Sequence, residues 1–389
     1  MSFAVVNLGC RVNRAESDAI TQKLLQTDVL VPYEVADKVY INTCTVTGVA
    51  EKKTRKTVRR VLDRNNHAEV IVTGCAAEIA PDFFENLSDR VTVIPKHKIL
   101  SNNVSLNFNT QSNNNSRVNV KIQDGCNNAC TFCIVHVARG KSVSVPKEEV
   151  VKNCIFLDRA GVKEIVLTGI NLGNYSDPSL SELVKRLLDK TGNCRFRISS
   201  IEPPEVTDEL IDTIRQAGDR VCNHFHLPLQ SGSDSVLDDM HRHYSTSQFL
   251  ELVQETRDVM PSFSFTTDII VGFPGETDDD FQKTLDFAKE ISFSKIHVFP
   301  YSKREGTPAA DMPEQVPEVV KSERAKVLRE LSDELRKLEF KKRIGTSEFV
   351  VTENDLKATT DSYFTIKSEL FEKTGELLNV ELKENMFFE

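Results

Sequence analysis

The 389-residue sequence contains no apolar run that approaches the length of a membrane span. It also begins without the basic and long apolar segments of a secretory signal, because the short apolar run over 3–8 leads directly into a glycine and a cysteine. These absences exclude a membrane-spanning protein from the predicted classes. We expect no membrane partner and a location in the cytoplasm.

The sequence also lacks an even set of cysteines and an excess of positive charge. Nine cysteines are an odd number in a chain of this length, so reduced thiols in the cytoplasm explain them better than a secreted disulfide framework. The net charge of -9 argues against a large nucleic-acid footprint. A charge summed over a chain can nevertheless conceal a basic face.

What is present predicts two or three domains with an α/β fold. Over residues 1–100, short β-branched runs alternate with stretches of helical spacing, which predicts an open, largely parallel α/β sheet domain. The predicted strands are 3–8, 38–41 and 69–72, and the predicted helices are 14–26 and 49–64. Residues 101–116 are rich in asparagine and serine, which predicts a linker.

Residues 117–318 contain six further strand–helix units, which predict a partial TIM-like (β/α)6 barrel. The predicted strands are 118–123, 164–168, 195–199, 223–227, 265–271 and 295–299. The predicted helices are 147–159, 180–190, 207–216, 247–259 and 277–290. Glycine, proline and compact polar residues follow all six strands, as the loops around a ligand cavity require.

The last part of the chain predicts a charged helix and a small β module. Residues 319–343 have helical spacing, with an apolar stripe at Val320, Leu328, Leu331, Leu335 and Leu338. Residues 344–389 contain short β-type runs at 348–352, 363–367 and 377–382, which predict an antiparallel module.

Three cysteines in one short loop, Cys126, Cys130 and Cys133, predict a metal centre. Thiolates are soft ligands that suit zinc, copper(I) or iron–sulfur clusters. A structural zinc site usually has four ligands, and no further Cys or His pair follows at a fixed offset. Three thiolates leave one metal corner free, and the polar loop sequence argues against three buried core cysteines.

Three more cysteines, Cys10, Cys44 and Cys75, each follow a predicted strand of the N-terminal sheet. Ligands of parallel α/β sheets collect beyond the carboxyl ends of the strands, so these cysteines are candidates for a second metal centre. The alternative is that each is a small buried apolar residue, since free cysteine is often buried.

The loop pattern Cys-x3-Cys-x2-Cys resembles the signature of the radical S-adenosylmethionine superfamily. The whole chain resembles the methylthiotransferases through 7–13 (NLGCRVN), 42–44 (NTC), 74–75 (GC), 227–233 (LPLQSGS) and 268–276 (DIIVGFPGE). The resemblance implies an N-terminal methylthiotransferase domain, a radical S-adenosylmethionine barrel and a TRAM-like C-terminal module.

The resemblance also implies two 4Fe-4S clusters. The cluster at Cys126, Cys130 and Cys133 would bind S-adenosylmethionine and generate a deoxyadenosyl radical, and the cluster at Cys10, Cys44 and Cys75 would carry the transferred methylthio group. Electrons would come from flavodoxin or ferredoxin. The segments that match the cofactor pocket of the family contain Gly169, Asn171, Gln230, Gly272 and Gly275. Turn formation explains each of these five residues as well.

Residues 9–13 (GCRVN) and 138–141 (ARGK) are most similar to the branch that converts N6-threonylcarbamoyladenosine, next to the anticodon of tRNA, to its 2-methylthio derivative. This resemblance implies the tRNA anticodon stem-loop as partner. The alternatives are isopentenyladenosine in tRNA, an aspartate of a ribosomal protein, or a non-catalytic iron–sulfur protein that binds RNA. The chain departs from the family at His136 and Val137, where Pro-Tyr is usual.

The C-terminal module has four lysines against ten acidic residues, which is unusual for a module that binds phosphates. The candidate RNA contacts are therefore Lys52, Lys53, Arg55, Lys56, Arg59, Arg60 and Arg64 on one helix, and Arg139, Lys141, Lys303 and Arg304 near the barrel mouth. A merely solvated face explains the helix equally well.

Other polar residues and cysteines predict structural roles. We expect the acids 278–280 to complement a helix dipole, and Cys154, Cys194 and Cys222 to be packing residues. For His224, His226, His241 and His243 we favour core or surface positions over a metal site.

Overall fold

The computed structural model describes residues 1–99 and 116–388, and it has the predicted α/β fold. The predicted linker over 101–116 lies outside the described residues, apart from Ser116. Across the described ranges, no helix combines the length and the apolar character that crossing a bilayer would require.

The N-terminal residues form a parallel five-stranded sheet in the order β2-β1-β3-β4-β5. Its strands are β1 (Ser2–Asn7), β2 (Val29–Leu30), β3 (Lys38–Thr43), β4 (Glu69–Gly74) and β5 (Val91–Val93). Its helices are α1 (Arg11–Leu24), α2 (Gly48–Arg64), α3 (Cys75–Ile79), α4 (Pro81–Glu85) and α5 (Lys96–Ile99). The central strands carry buried valine and isoleucine, as a parallel sheet covered by helices requires.

The next part of the chain forms two parallel three-stranded sheets, in the orders β10-β9-β6 and β11-β12-β13. Isolated parallel bridges between Phe196 and Val221 and between Ser200 and His226 connect the two sheets into a partial barrel. The six strands are β6 (Arg117–Lys121), β9 (Glu164–Thr168), β10 (Arg195–Ile198), β11 (His224–His226), β12 (Ser264–Val271) and β13 (Lys295–Pro300). A short antiparallel pair, β7 (Gln123–Asp124) and β8 (Val143–Ser144), lies beside the cysteine loop.

The barrel helices are α6 (Val135–Arg139), α7 (Lys147–Arg159), α8 (Leu180–Lys190), α9 (Asp208–Ala217), α10 (Asp234–Asp239), α11 (Thr246–Val259), α12 (Asp278–Ile291) and α13 (Pro308–Asp311). Five of them coincide closely with predicted helices, whereas the short helices α6, α10 and α13 were not predicted. Three acids occupy the first turn of α12, as predicted, and Asp280 forms a capping box with Thr277. Cys154, Cys194 and Cys222 are buried free thiols, which confirms their packing role.

The charged helix is α14 (Glu318–Lys341), and it packs against α12 and β13. Leu328, Leu331 and Leu335 are buried as predicted, but Leu338 is 45 % exposed, so that member of the apolar stripe is wrong. The buried face continues instead at Glu339, which accepts hydrogen bonds from Ser292 and Arg343. A buried carboxylate with partners gives no apolar signal in the sequence.

The C-terminal module is a four-stranded antiparallel sheet in the order β16-β15-β14-β17. Its strands are β14 (Ser347–Thr352), β15 (Lys357–Thr360), β16 (Thr365–Lys367) and β17 (Leu377–Glu381). Its core centres on Phe340, Phe364 and Phe371. The sequence did not predict β15, whose short Lys-Ala-Thr-Thr run has no clear alternation.

Two buried arginines of β10 attach this module to the barrel. The Nη1 of Arg195 donates to the carbonyl of Phe349 at 2.9 Å, and Arg197 donates to the carbonyls of Thr360 and Asp361 at 2.9 and 3.0 Å. Both arginines also form ion pairs with Glu164, at 2.6 and 2.7 Å. The module is therefore docked on the N-terminal ends of the barrel strands through fully desolvated charges.

We expect Arg197→Met to lower the free energy of unfolding by about 3–5 kcal/mol, because it removes one partner of a buried carboxylate. It also leaves two carbonyls of the module without donors. Urea unfolding measures the change. The control is Arg215→Met, which removes an exposed ion pair with Asp212 and should cost less than about 1 kcal/mol. Equal losses in the two variants would contradict the role of Arg197.

Candidate functional site

A cavity of about 640 Å³ opens at the carboxyl ends of the barrel strands and extends inward to His224, at the start of β11, and to Tyr363 of the C-terminal module. Cys126, Cys130 and Cys133 line one part of its wall, and Cys10 of the N-terminal sheet also lines it. Its size is in the range of small-molecule and cofactor sites. Residues that lie more than 100 positions apart in the sequence therefore meet around one space.

Backbone geometry shapes the loop of Cys126, Cys130 and Cys133. Gly125 has φ +69°, and a Cβ there would lie 2.0 Å from the carbonyl oxygen of Lys141, so only glycine fits. Each sulfur accepts a hydrogen bond: Cys126 from the N–H of Asn128 at 3.4 Å, Cys133 from the N–H of Val135 at 3.3 Å, and Cys130 from Nη1 of Arg242 at 3.1 Å. All three donors would stabilise a sulfur atom that carries a negative charge.

The second set of cysteines lies at neighbouring strand ends of the N-terminal sheet. Cys44 follows β3, and Cys75 follows β4 and begins α3, in a register that pairs Thr43 with Gly74. Cys10 immediately precedes α1. Because β1, β3 and β4 are neighbouring strands, the three cysteines lie at the same edge of the sheet. Cys44 and Cys75 are buried, whereas Cys10 is exposed toward the cavity.

Arg139 connects the two cysteine sets. Its side chain is 1 % exposed, its Nε donates to the sulfur of Cys75 at 3.2 Å, and its Nη1 donates to Glu16 at 2.9 Å and to Asp124 at 2.8 Å. Lys121 adds a second positive charge, 3.1 Å from Glu16 and 2.9 Å from Asp124. One guanidinium thus joins helix α1, the end of β4 and the strand that leads into the cysteine loop.

The charges of this network stabilise one another. Burial alone would raise the pKa values of Glu16 and Asp124, but the positive charges of Arg139 and Lys121 hold both pKa values below the ordinary range. The same carboxylates raise the pKa of Arg139 well above its usual value in spite of its burial. The network is therefore fully ionised at neutral pH.

The spacing of the thiols tests which metal centre they fit. Among the described residues, neither cysteine set brings three sulfur atoms within 4.8 Å of one another. A tetrahedral zinc ion with Zn–S bonds of about 2.3 Å would hold its sulfur ligands roughly 3.8 Å apart. Both sets are thus wider than a single ion requires, and their thiolates are the ligand type that holds iron–sulfur clusters.

Burial acts on the thiols in the same direction at both sets. It raises the pKa values of Cys44, Cys75, Cys126 and Cys130, and it raises the pKa of Cys133 to about 12. Without a metal centre these thiols keep their protons at neutral pH. Ligation must therefore release protons, as is usual for thiolate sites.

The predicted cofactor contacts divide into two groups. Gly169, Asn171 and Gln230 line the cavity. Gly272 and Gly275 do not line it, and their φ angles of +72° and +82° place them in a turn whose Gly272 N–H donates to Glu276. The turn explains these two glycines without a ligand, and their contact with a cofactor has no support in the structure.

Sequence reasoning missed two polar clusters on the cavity wall. Arg242 pairs with Glu202 while it donates to Cys130, and no pattern in the sequence indicates this contact. The second cluster is His226, Asp268 and His297, whose ligand atoms lie within 4.8 Å of one another. Alternation along neighbouring strands places them on one face, and the register that pairs Asp268 with His297 brings them together.

The other predicted histidines have the structural positions that we expected. His224 is buried and stacks on Tyr363 with ring centroids 4.6 Å apart. His241 and His243 are exposed. Only His226 departs from the prediction, because it belongs to the cavity cluster.

The predicted RNA contacts also divide. Arg139 is wrong as an RNA contact because it is buried in the ion-pair network. Arg304 is largely buried and pairs with Glu51 at 2.6 Å, whereas Lys141 and Lys303 are exposed. On α2, the exposed basic residues are Lys52, Lys53, Lys56, Arg59, Arg60 and Arg64, and Arg55 is half-buried. The α2 helix begins at the cavity rim, where the N–H of Gly48 donates to Ser302 at 3.1 Å.

Comparisons with known proteins agree with this site. The Radical SAM superfamily matches residues 120–288, and the uncharacterized protein family UPF0004 matches residues 2–94. Two relatives are named threonylcarbamoyladenosine tRNA methylthiotransferase MtaB. The one from Thermotoga maritima is 36 % identical over 97 % of this chain and 94 % of its own length. The one from Bacillus subtilis is 40 % identical over 86 % of this chain and 81 % of its own length. A tRNA-2-methylthio-N(6)-dimethylallyladenosine synthase of Carboxydothermus hydrogenoformans is 32 % identical over 85 % of this chain and 83 % of its own length.

A solved structure is similar in fold. The radical S-adenosylmethionine methyltransferase TsrM of Kitasatospora setae, with cobalamin and a [4Fe-4S] cluster bound, superposes with a TM-score of 0.56 at 14 % identity, over 79 % of this chain and 77 % of its own. At that identity the likeness concerns the fold alone. The relative from Thermotoga maritima, by contrast, matches nearly the whole of this chain in sequence. The chain belongs to the radical S-adenosylmethionine methylthiotransferase family, in the group of the threonylcarbamoyladenosine tRNA methylthiotransferases.

Proposed function

We propose that this protein converts N6-threonylcarbamoyladenosine, next to the anticodon of tRNA, to its 2-methylthio derivative. The observation that carries the proposal is that Cys10 and the three loop cysteines line one cavity, so a donor and an activating centre can act on one bound base. The names and high coverage of the MtaB relatives support the choice of substrate.

The cysteines divide into two ligand sets. Cys126, Cys130 and Cys133 would hold one 4Fe-4S cluster and leave a corner free for S-adenosylmethionine, and Cys10, Cys44 and Cys75 would hold the other. When bound, these groups supply the radical chemistry that an aromatic C–H bond requires, which side chains alone do not. Gly169, Asn171 and Gln230 line the same cavity, and we assign them to the pocket that would bind S-adenosylmethionine. Gly272 and Gly275 remain outside this assignment.

The protein side chains position the two centres and admit the base. Arg139 donates to Cys75 and Arg242 donates to Cys130, so one guanidinium supports each set. An adenine in a stacked anticodon loop must swing out to enter the cavity, as in other enzymes that act on a base. The exposed basic face of α2, which begins at the cavity rim, is suited to the phosphates on either side of that base.

The C-terminal module has a structural role in this proposal. It is acidic, and it is docked on the far end of the barrel through Arg195 and Arg197.

We assign the domains as a methylthiotransferase sheet over 1–100, a linker over 101–116, a barrel over 117–318, a helix over 319–343 and a TRAM-like module over 344–389. A small electron donor such as flavodoxin or ferredoxin would act with the protein in the cytoplasm.

One sister function is favoured by a specific observation. The relatives at 32 % identity include enzymes named for dimethylallyladenosine, whose substrate differs only in the group on N6. Nucleoside mass spectrometry of tRNA from cells that lack this gene separates the two substrates. We expect loss of 2-methylthio-N6-threonylcarbamoyladenosine with unchanged 2-methylthio-dimethylallyladenosine, and the reverse result would reject the proposed substrate.

Variants of single cysteines should separate the two centres. With reductant and S-adenosylmethionine, anaerobically reconstituted protein should release 5′-deoxyadenosine, and Cys130→Ala should abolish this product. Cys75→Ala should still release 5′-deoxyadenosine but form no methylthio product, because only the N-terminal set is changed. Liquid chromatography with mass spectrometry measures both products. The matched control Cys154→Ala removes a buried thiol outside both sets and should retain both activities. Loss of 5′-deoxyadenosine in Cys75→Ala would contradict the division of roles.

We expect Arg139→Gln to lower the iron content by about half, because it removes the donor to Cys75 and leaves Glu16 and Asp124 with one positive partner fewer. Breaking a buried ion pair typically costs about 3–5 kcal/mol, so the thermal unfolding temperature should also fall. Iron and sulfide analysis after anaerobic purification measures the first effect. Arg14→Gln, which removes a surface pair with Asp18, is the control. Unchanged iron in Arg139→Gln would show that the network does not support the N-terminal centre.

A further inference from the structure

The charged residues around the cavity leave one cation without a carboxylate. Arg242 pairs with Glu202, and Arg304 pairs with Glu51. Asp268 faces His226 at 3.4 Å. Arg11 also lines the cavity, and within the part of the chain that the structure describes it forms no ion pair. An uncompensated guanidinium in a substrate cavity is a candidate binding group for an anion.

Contacts from two directions hold Arg11 in place. It is the first residue of α1, directly after Cys10, so its backbone is fixed beside the N-terminal cysteine set. Its Nη2 donates to the hydroxyl of Tyr363, and its guanidinium carbon lies 5.3 Å from the centre of that ring. Because an arginine has five N–H donors, this single bond leaves the rest of the fork for a ligand.

Tyr363 is itself held rigidly. Its φ is +70°, which is rare for a residue with a bulky side chain, and its ring stacks on His224 at 4.6 Å. Arg197 lies over the same ring at 5.2 Å. The C-terminal module therefore delivers one side chain into the wall of the cavity, where it orients Arg11.

Several positive charges act on Tyr363 at this end of the cavity. Burial would raise the pKa of Tyr363, but Arg11, Arg117 and Arg197 lower it below its ordinary value. Burial lowers the pKa of His297 to about 4, and the charge of Arg11 contributes to the lowering. Asp268 acts on the pKa of His297 in the opposite direction, but it faces His226 and forms no ion pair with Arg11 among the described residues. The guanidinium of Arg11 therefore keeps its remaining donors for an anion.

The threonylcarbamoyladenosine and dimethylallyladenosine enzymes act on nucleosides whose N6 substituents differ in charge. A threonylcarbamoyl group ends in a carboxylate and a hydroxyl, whereas a dimethylallyl group is entirely apolar. We propose that Arg11 binds the carboxylate of the threonylcarbamoyl group and so selects this nucleoside over the apolar one. The inference rests on the proposed function for its substrate and adds the residue that recognises it.

The neighbouring polar residues fit the remainder of that group. His226, Asp268 and His297 form the adjacent wall and offer donors and acceptors at one place. Thr266 bonds to His226 at 3.0 Å, which fixes the ring. A hydroxyl and a carbamoyl group can form hydrogen bonds with these half-buried side chains, whereas an apolar dimethylallyl group would cover them without offering any partner.

The test measures binding of anticodon stem-loops by the reconstituted, anaerobic protein. Four RNAs differ only at the nucleoside next to the anticodon: threonylcarbamoyladenosine, its methyl ester, dimethylallyladenosine and adenosine. We expect the free carboxylate to bind at least about tenfold more tightly than the methyl ester, because a hydrogen-bonded ion pair contributes about that factor or more. Arg11→Gln should abolish this difference and leave the affinity for the ester within about twofold.

Two further variants make the result specific. Arg11→Lys keeps the charge but not the planar fork, so it should retain part of the preference. Arg14→Gln, one turn along the same helix and paired with Asp18 at the surface, should bind all four RNAs as the unmodified protein does. Iron content and 5′-deoxyadenosine formation without RNA should be unchanged in Arg11→Gln. Loss of either would assign Arg11 to the cluster or to S-adenosylmethionine and overturn the proposal.

Other outcomes also overturn it. An equal loss of affinity for all four RNAs would make Arg11 a phosphate contact. Equal binding of the carboxylate and the ester by the unmodified protein would remove the need for any cation. Turnover of the same RNAs tests the proposed function separately. Conversion of threonylcarbamoyladenosine without discrimination against the ester keeps the function and rejects Arg11, whereas conversion of dimethylallyladenosine alone rejects the function.

Discussion

The contacts of Arg139 are the constraint on which the site depends. One guanidinium, 1 % exposed, bonds the sulfur of Cys75 and two carboxylates from different parts of the chain. A buried charge is costly without partners, so the N-terminal sheet and the barrel cannot separate without exposing or orphaning several ionised groups. The distance between the two cysteine sets is thereby fixed by the fold before any cofactor or substrate binds.

A second set of buried charges fixes the other end of the barrel. Glu164 lies between Arg195 and Arg197, and both arginines continue to carbonyl groups of the C-terminal sheet. The module so attached contributes Tyr363 to the cavity. Its acidic composition, which is puzzling for an RNA-binding module, is compatible with a role in closing and shaping the barrel.

Much of this arrangement could be predicted from local sequence. Strand ends are marked by glycine and polar residues after β-branched runs, so the positions of Cys10, Cys44 and Cys75 at one sheet edge followed from the alternation alone. The short strands β2 and β15 could not be found, because two to four residues carry no period. The prediction that Leu338 is buried was wrong because the buried face of α14 continues through the hydrogen-bonded carboxylate of Glu339.

The residues that orient the site could not be predicted from sequence patterns. Arg139 and Glu16 lie 123 positions apart. In the sequence alone, a lone arginine near a loop is typical of a surface charge. Arg242 and the cluster of His226, Asp268 and His297 depend in the same way on the register of strands and loops. Long-range polar contacts are specified by the tertiary fold, which short windows of sequence do not record.

Because Glu16, Asp124 and Arg139 share one set of buried charges, none of them is free to mutate alone. A change in the charge of any one leaves the others without a partner. Only a matching change within the network, which also contains Lys121, would keep it neutral. Natural sequences of this family should therefore show correlated substitution among these three positions, which lie in two segments more than a hundred residues apart.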